Sequence, residues 1–180
     1  MKYPSLTKLL AGLALAIGTN FVPSNPSQAR TNPSDTFFCG TTRDGVPVTM
    51  VRSLRGNVPL IRWTYSAFSG SGWTPSRRCA EVSKRFQYNF ETDQLQYIAI
   101  GEINAAPVLC AAAQPGIPCT KENLLITVLP GEKPEETLKS LILARDGAAP
   151  LDQSSNVMEY DEAGNLYINI EEILYHAPVE

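Results

Sequence analysis

Histidine is almost missing from this chain: there is one, His176, among 180 residues. That scarcity weakens every mechanism that needs an imidazole base beside a nucleophile, and it leaves few ligands for a transition metal. No C-x-x-C pair is present among the four cysteines, which argues against a zinc knuckle and a thioredoxin-like redox motif. The sequence also lacks a phosphate-binding loop, a dinucleotide fingerprint and an EF-hand loop. Ser71 stands between two glycines, not in the G-x-S-x-G frame of a hydrolase elbow. Basic residues are not in excess, with 15 Lys and Arg against 18 Asp and Glu, which excludes a nucleic-acid-binding protein of the ordinary basic kind. No apolar run approaches the roughly 20 residues that a bilayer-spanning helix needs. No period of 20 to 50 residues repeats, so a solenoid is excluded.

What is present starts with an address. Lys2 and Lys8 precede the uncharged stretch Leu9 to Ile17, and Ser27-Gln28-Ala29 sets small residues at the −3 and −1 positions of a cut before Arg30. This is the anatomy of a cleavable signal peptide over residues 1–29, followed by a polar leader, 30–35, and one domain, 36–180. An exported chain enters an oxidising compartment, be it periplasm, thylakoid lumen or cell surface. There the even count of Cys39, Cys79, Cys110 and Cys119 reads as two disulfides. Three connectivities are possible. The turn Gln114-Pro115-Gly116 favours Cys110 with Cys119, which leaves Cys39 with Cys79.

The mature chain predicts an α+β domain: a mostly antiparallel sheet with two principal helices packed on it. Asp44-Gly45 between Phe37-Phe38-Cys39 and Val46 to Val51 is a hairpin signal, and Pro47 favours an edge strand. Leu60 to Tyr65 alternates so that Ile61, Trp63 and Tyr65 share a face. Thr74-Pro75 opens a helix on which Cys79, Val82, Phe86 and Phe90 recur at helical spacing. Leu95 to Gly101 and Ala106 to Ala112 predict a second hairpin through Glu102-Ile103-Asn104, and Asn123 to Leu129 reads as a strand buried on both faces. Pro134 to Asp146 carries both helix-end signals, with Glu135 and Glu136 in its first turn, Arg145 in its last and Gly147 beyond. Asp161 to Gly164 predicts a turn before a strand through Leu166, Ile168 and Ile170.

Among residues that could carry chemistry, Phe68-Ser69-Gly70-Ser71-Gly72-Trp73 is an aromatic-flanked flexible loop able to hold a ligand; its plainer reading is a connector in which Trp73 packs back on the following helix. His176 reads as a surface residue near the chain end. Glu135-Glu136 and Glu171-Glu172 are neighbours that do not face each other on a helix, so they make no acid/base dyad. No catalytic, cofactor or metal site follows. Charge, however, is segregated. From Arg30 to Arg85 nine basic residues meet three acids, for a net +6; from Phe86 to Glu180 four meet fifteen, for −11. Arg77, Arg78, Lys84 and Arg85 thus form a candidate basic helix face for an anionic lipid surface or an acidic envelope or lumen protein.

Laid out this way, the domain resembles the circadian oscillating polypeptide family of cyanobacterial exported proteins. The resemblance is carried by Phe38-Cys39-Gly40, Asp44-Gly45-Val46-Pro47, Pro59 to Trp63, Phe68 to Pro75, Arg78-Cys79, Val82-Ser83, Arg85-Phe86-Gln87, Pro107 to Cys110, Cys119, Leu124-Leu125, Pro130-Gly131, Arg145, Gly147 to Pro150 and Ala177 to Glu180. It implies an abundance that follows a daily rhythm and, in some members, peripheral association with membranes. It implies no activity and no catalytic residues. Three readings follow: a non-enzymatic exported module that binds a membrane surface or a partner, a small-ligand receptor or enzyme using the Phe68–Trp73 loop, and a disulfide-braced inhibitor or chaperone-like factor.

Overall fold

The computed structural model describes residues 32, 34–66, 69–129, 131–143 and 156–179. The expected signal peptide, Phe68 and the expected end of the second helix at Arg145-Asp146-Gly147 lie outside them. The architecture is α+β, and its strands divide into two antiparallel sheets instead of one: β1 (Thr36–Thr41), β2 (Pro47–Ser53) and β3 (Gly56–Arg62) form a meander, and β4 (Tyr97–Ile103), β5 (Ala106–Ala112), β6 (Leu124–Thr127), β7 (Met158–Tyr160) and β8 (Leu166–Asn169) form the second sheet in the order β6-β5-β4-β8-β7. Three helices complete it: α1 (Pro75–Glu91), α2 (Pro134–Leu143) and a short α3 (Ile170–His176).

The first hairpin turns at Asp44-Gly45, where Gly45 takes φ +83. Asp44 accepts from Thr42 and, at 2.8 Å, from Arg62 of β3, so the turn is tied to the far strand of its sheet. β2 is the central strand and not an edge; Pro47 is tolerated because it is the first residue, opposite Thr41. β3 begins and ends earlier than the Leu60–Tyr65 alternation predicts. A tight turn at Leu54-Arg55 feeds Gly56 straight back along β2, and Trp63 remains buried while Tyr65 is 55% exposed. The second hairpin turns at Asn104-Ala105, both with positive φ (52° and 61°), the primed geometry that suits strand twist.

β6 corrects a second expectation: its apolar run is an edge strand that pairs only with β5, with Leu125 buried, Leu124 and Ile126 half-buried and Thr127 exposed. Leu125 reaches the shared core, while the other residues of β6 are half-buried or exposed, so the strand is not buried on both faces.

α1 opens as its residues dictate. Thr74 accepts from Arg77 N, Pro75 takes the first position, and Cys79, Val82 and Phe86 are buried. Phe86 stacks on Phe37 of β1 at 5.5 Å, and Phe90 tilts against the same ring at 5.4 Å. A continuous core runs from Phe37, Val51 and Val58 through Phe86 to Leu109, Leu125, Leu138 and Ile168, so both sheets share one interior. Full burial of such side chains contributes about 1.5–3 kcal/mol each. At the far end, Arg55 donates to the carbonyls of Leu174 (2.7 Å), Tyr175 and Ala177 (3.2 Å), a cation at the negative end of α3.

The pairings are Cys39–Cys79, which fastens β1 to α1, and Cys110–Cys119, which fastens β5 to the loop after it. That loop covers the second face of the five-stranded sheet, where Ile117 and Cys119 pack on Ala99, Cys110, Ala112 and Tyr167. Tyr167 Oη accepts from Gly116 N (3.0 Å) and donates to Asp161 (3.2 Å), whose other donors are Asn165 and Ala163. These bonds, those from Asn165 foremost, hold the Asp161 carboxyl below its ordinary value of 3.8. The native state therefore binds fewer protons than the unfolded chain near that value, and the stabilisation is complete above about pH 4 and disappears as pH falls through the lowered pKa. Asp161→Asn accordingly lowers the thermal midpoint more at pH 6 than at pH 2, measured by circular dichroism; an equal loss at both values contradicts the linkage.

Candidate functional site

The two sheets meet beneath α1, and at that junction four elements leave a half-open groove of about 630 Å³. The end of β3 and the segment after it contribute Trp63 and Tyr65; α1 contributes Arg78, Glu81, Val82 and Arg85; β6 and its exit contribute Ile126 and Leu129; the start of α2 contributes Glu132 and Thr137. Its size is that of an ordinary small-molecule pocket.

Each side chain is set by a local cause. Trp63 is fixed because its indole N–H donates to the Thr49 hydroxyl at 3.1 Å, which also accepts from Ser83 of α1, so a buried polar node aims the ring. Arg85 donates to the Leu125 carbonyl at 3.1 Å and lies along β6. Arg78, one turn into α1, sits over the Trp63 ring at 5.4 Å. Its Nε and Nη2 are shielded from solvent and have no hydrogen-bond partner. Burial pushes the Arg78 guanidinium down from its ordinary value, and the Tyr65 phenol opposes that shift. Unpaired guanidinium N–H groups away from water cost more than the roughly 1–3 kcal/mol of a neutral donor.

The four cations of the candidate basic face divide into two pairs. A helix turns about 100° per residue, so positions seven apart fall on one stripe. Arg78 and Arg85 therefore line the groove together. Arg77 and Lys84 share the neighbouring, solvent-exposed stripe. Lys84 pairs with Glu81 at 3.6 Å and borders a second, shallower depression with Phe37, Cys39 and Tyr88. Arg77 lies over the Trp73 ring at 4.5 Å and reaches the Gly72 carbonyl at 3.4 Å.

The loop is split likewise. Ser69-Gly70-Ser71 forms a 3-10 turn, Gly72 takes φ +81, and of the described loop residues only Trp73 lines the groove. Trp73 packs on the first turn of α1 through Arg77, as the connector reading expects, and at 39% exposure it also forms a wall of the groove. His176 is a surface residue paired with Glu172 at 3.2 Å and is not in the groove. Glu135 and Glu136 occupy the first turn of α2, and Glu171 and Glu172 that of α3, each at a positive helix end. Among the described residues no group of three or more His, Cys, Asp or Glu is arranged to hold a metal ion.

What decides kinship is a family model: that of the circadian oscillating protein COP23 matches residues 36–175. The chain belongs to the COP23 family. Its match begins with β1 and ends within α3, so the eight strands and both longer helices of the described residues lie inside the family's extent. Comparison with the curated proteins and with the solved structures gives no match. The groove is thus a feature of a COP23-family domain read on its own chemistry. Two disulfides suit an oxidising environment, and no helix among the described residues is long and apolar enough to cross a membrane.

Sequence reasoning located Arg78, Arg85 and Trp73 but not their company. Trp63 and Tyr65 read as strand residues, and Ile126, Leu129, Glu132 and Thr137 carried no signal of a site. The seven-residue interval between Arg78 and Arg85 was the one usable clue.

Proposed function

We propose that the mature chain is an exported, non-catalytic binding module that meets a membrane surface, or a protein partner of the envelope or thylakoid lumen, through α1. One observation carries this reading: α1 turns Arg77 and Lys84 to solvent on one stripe and sets Arg78 and Arg85 along an open groove on the next. An anionic surface approaching the helix meets the exposed pair first, and each cation near such a surface is worth about 1 kcal/mol. Membership in a family named for circadian oscillation supports a rhythmic abundance for the module.

Flotation of the purified mature protein with phosphatidylglycerol vesicles tests the reading. Binding is expected at low salt, release at high salt, because screening removes surface attraction beyond about 10 Å at 0.1 M. Arg77→Glu with Lys84→Glu is expected to cut the bound fraction about tenfold or more. Protein that stays soluble at low salt, and is indifferent to both reversals, overturns the membrane reading. The groove also favours a second reading, a small-ligand receptor, since it joins Trp73 of the Phe68–Trp73 loop to charged groups from elsewhere in the chain.

A further inference from the structure

We propose that the groove between α1, the exit of β3 and β6 is a binding site for a small amphiphilic carboxylate: one oxyanion head on an apolar body. The inference rests on the binding-module reading and names what the groove itself takes.

The head group is specified by the two guanidinium groups. Arg78 and Arg85 stand on one stripe of α1, about two turns apart, and both line the groove. Arg85 is oriented by the Leu125 carbonyl. Arg78 is the residue whose charge is least answered: its Nε and Nη2 have neither solvent nor an acceptor. Such an orphaned fork calls for an acceptor, and a carboxylate fits the planar fork with two parallel bonds. Tyr65, more than half exposed, lines the same groove as Arg78. The groove's cations outnumber its acids: Arg62, Arg78 and Arg85 line it with Glu132 and with Glu81, which pairs with Lys84. Arg62, which also borders the groove, is held by Asp44.

The body is specified by the walls. Trp63, Trp73, Ile126 and Leu129 give an apolar lining too long for an inorganic anion. A volume of about 630 Å³ accommodates a medium acyl chain or a fused-ring acid.

The site carries its own reporter. The chain has two tryptophans, and both line the groove. Titration of the mature protein with free dodecanoate, below its micellar concentration, is expected to give a saturable change in tryptophan fluorescence. Dodecanol, which has the body without the charge, and acetate, which has the charge without the body, are expected to bind at least tenfold more weakly. Arg78→Gln and Arg85→Gln should each weaken dodecanoate about ten- to a hundredfold, the worth of one charge-assisted hydrogen bond, with circular dichroism confirming the fold. Lys84→Gln, on the neighbouring stripe, should leave the dissociation constant unchanged.

Equal binding of dodecanol, equal binding of acetate, or full affinity in both arginine variants overturns the proposal. A fluorescence change with phosphatidylglycerol vesicles and none with the free acid assigns the signal to surface contact and overturns it too. Salt-dependent vesicle flotation without dodecanoate binding removes the groove ligand and leaves the membrane module standing. Dodecanoate binding without flotation does the reverse.

Discussion

Replacing both Cys39 and Cys79 by alanine is expected to lower the thermal midpoint by roughly 8–16 °C. The two residues are 40 apart in sequence, and a cross-link over that span removes loop entropy from the unfolded chain worth about 4 kcal/mol. For a domain of this size each kcal/mol moves the midpoint by about 2–4 °C. The structure adds a packing term of the same sign, because Cys79 is fully buried in the main core, where alanine leaves a void. The bridge Cys110–Cys119 spans only nine positions, and the same arithmetic gives about 2.5 kcal/mol. Paired alanine variants of each bridge, melted side by side, check the ranking. A larger loss at Cys110–Cys119 contradicts the entropic account.

Gly101→Val is the second large effect, a destabilisation of about 3 kcal/mol at the upper end of ordinary overpacking. A Cβ at position 101 would overlap Cys119 Sγ and approach Cys119 Cβ to 2.8 Å. The sulfur cannot swing aside because it is bonded to Cys110 on the adjacent strand. The cost is therefore conditional on the disulfide. In a background with Cys110 and Cys119 both replaced by alanine, Gly101→Val is expected to cost less than half as much, which chemical denaturation of the four proteins measures as a double-mutant cycle. Additive losses would mean that the clash lies elsewhere.

How much of this was legible in sequence depends on how local each cause is. The Asp44-Gly45 hairpin and the start of α1 at Thr74-Pro75 are written in residues that act on their own backbone, and both stand where expected. The cysteine pairing followed from a turn, Gln114 to Gly116, that brings its ends together. Elements made by their neighbours were misread. β3 starts at Gly56, where no apolar alternation announces it, because pairing with β2 defines it. β7 is three residues, Met158 to Tyr160, held by β8 alone. The apolar run of β6 could not distinguish a strand covered on both faces from one covered on one face, since an apolar run looks alike in either case. The groove is the extreme case. Its residues come from β3, α1, β6 and α2, over an interval from Ile61 to Thr137, and no window of sequence contains it.

The order β6-β5-β4-β8-β7 has a temporal consequence. β8, residues 166–169, lies between β4 and β7 and bonds to both, so an interior strand of the five-stranded sheet comes after the other four in the chain. Until those residues emerge, Tyr97 to Ala99 offers an open strand edge, and such edges recruit other strands. The three-stranded meander and α1, by contrast, are complete by residue 91 and carry their own cross-link. The first sheet and its bridge thus need only residues 36–91, whereas the second sheet closes only once residues 166–169 are available. A chain truncated before residue 166 therefore leaves the Tyr97–Ala99 edge uncovered and open to pairing with another strand.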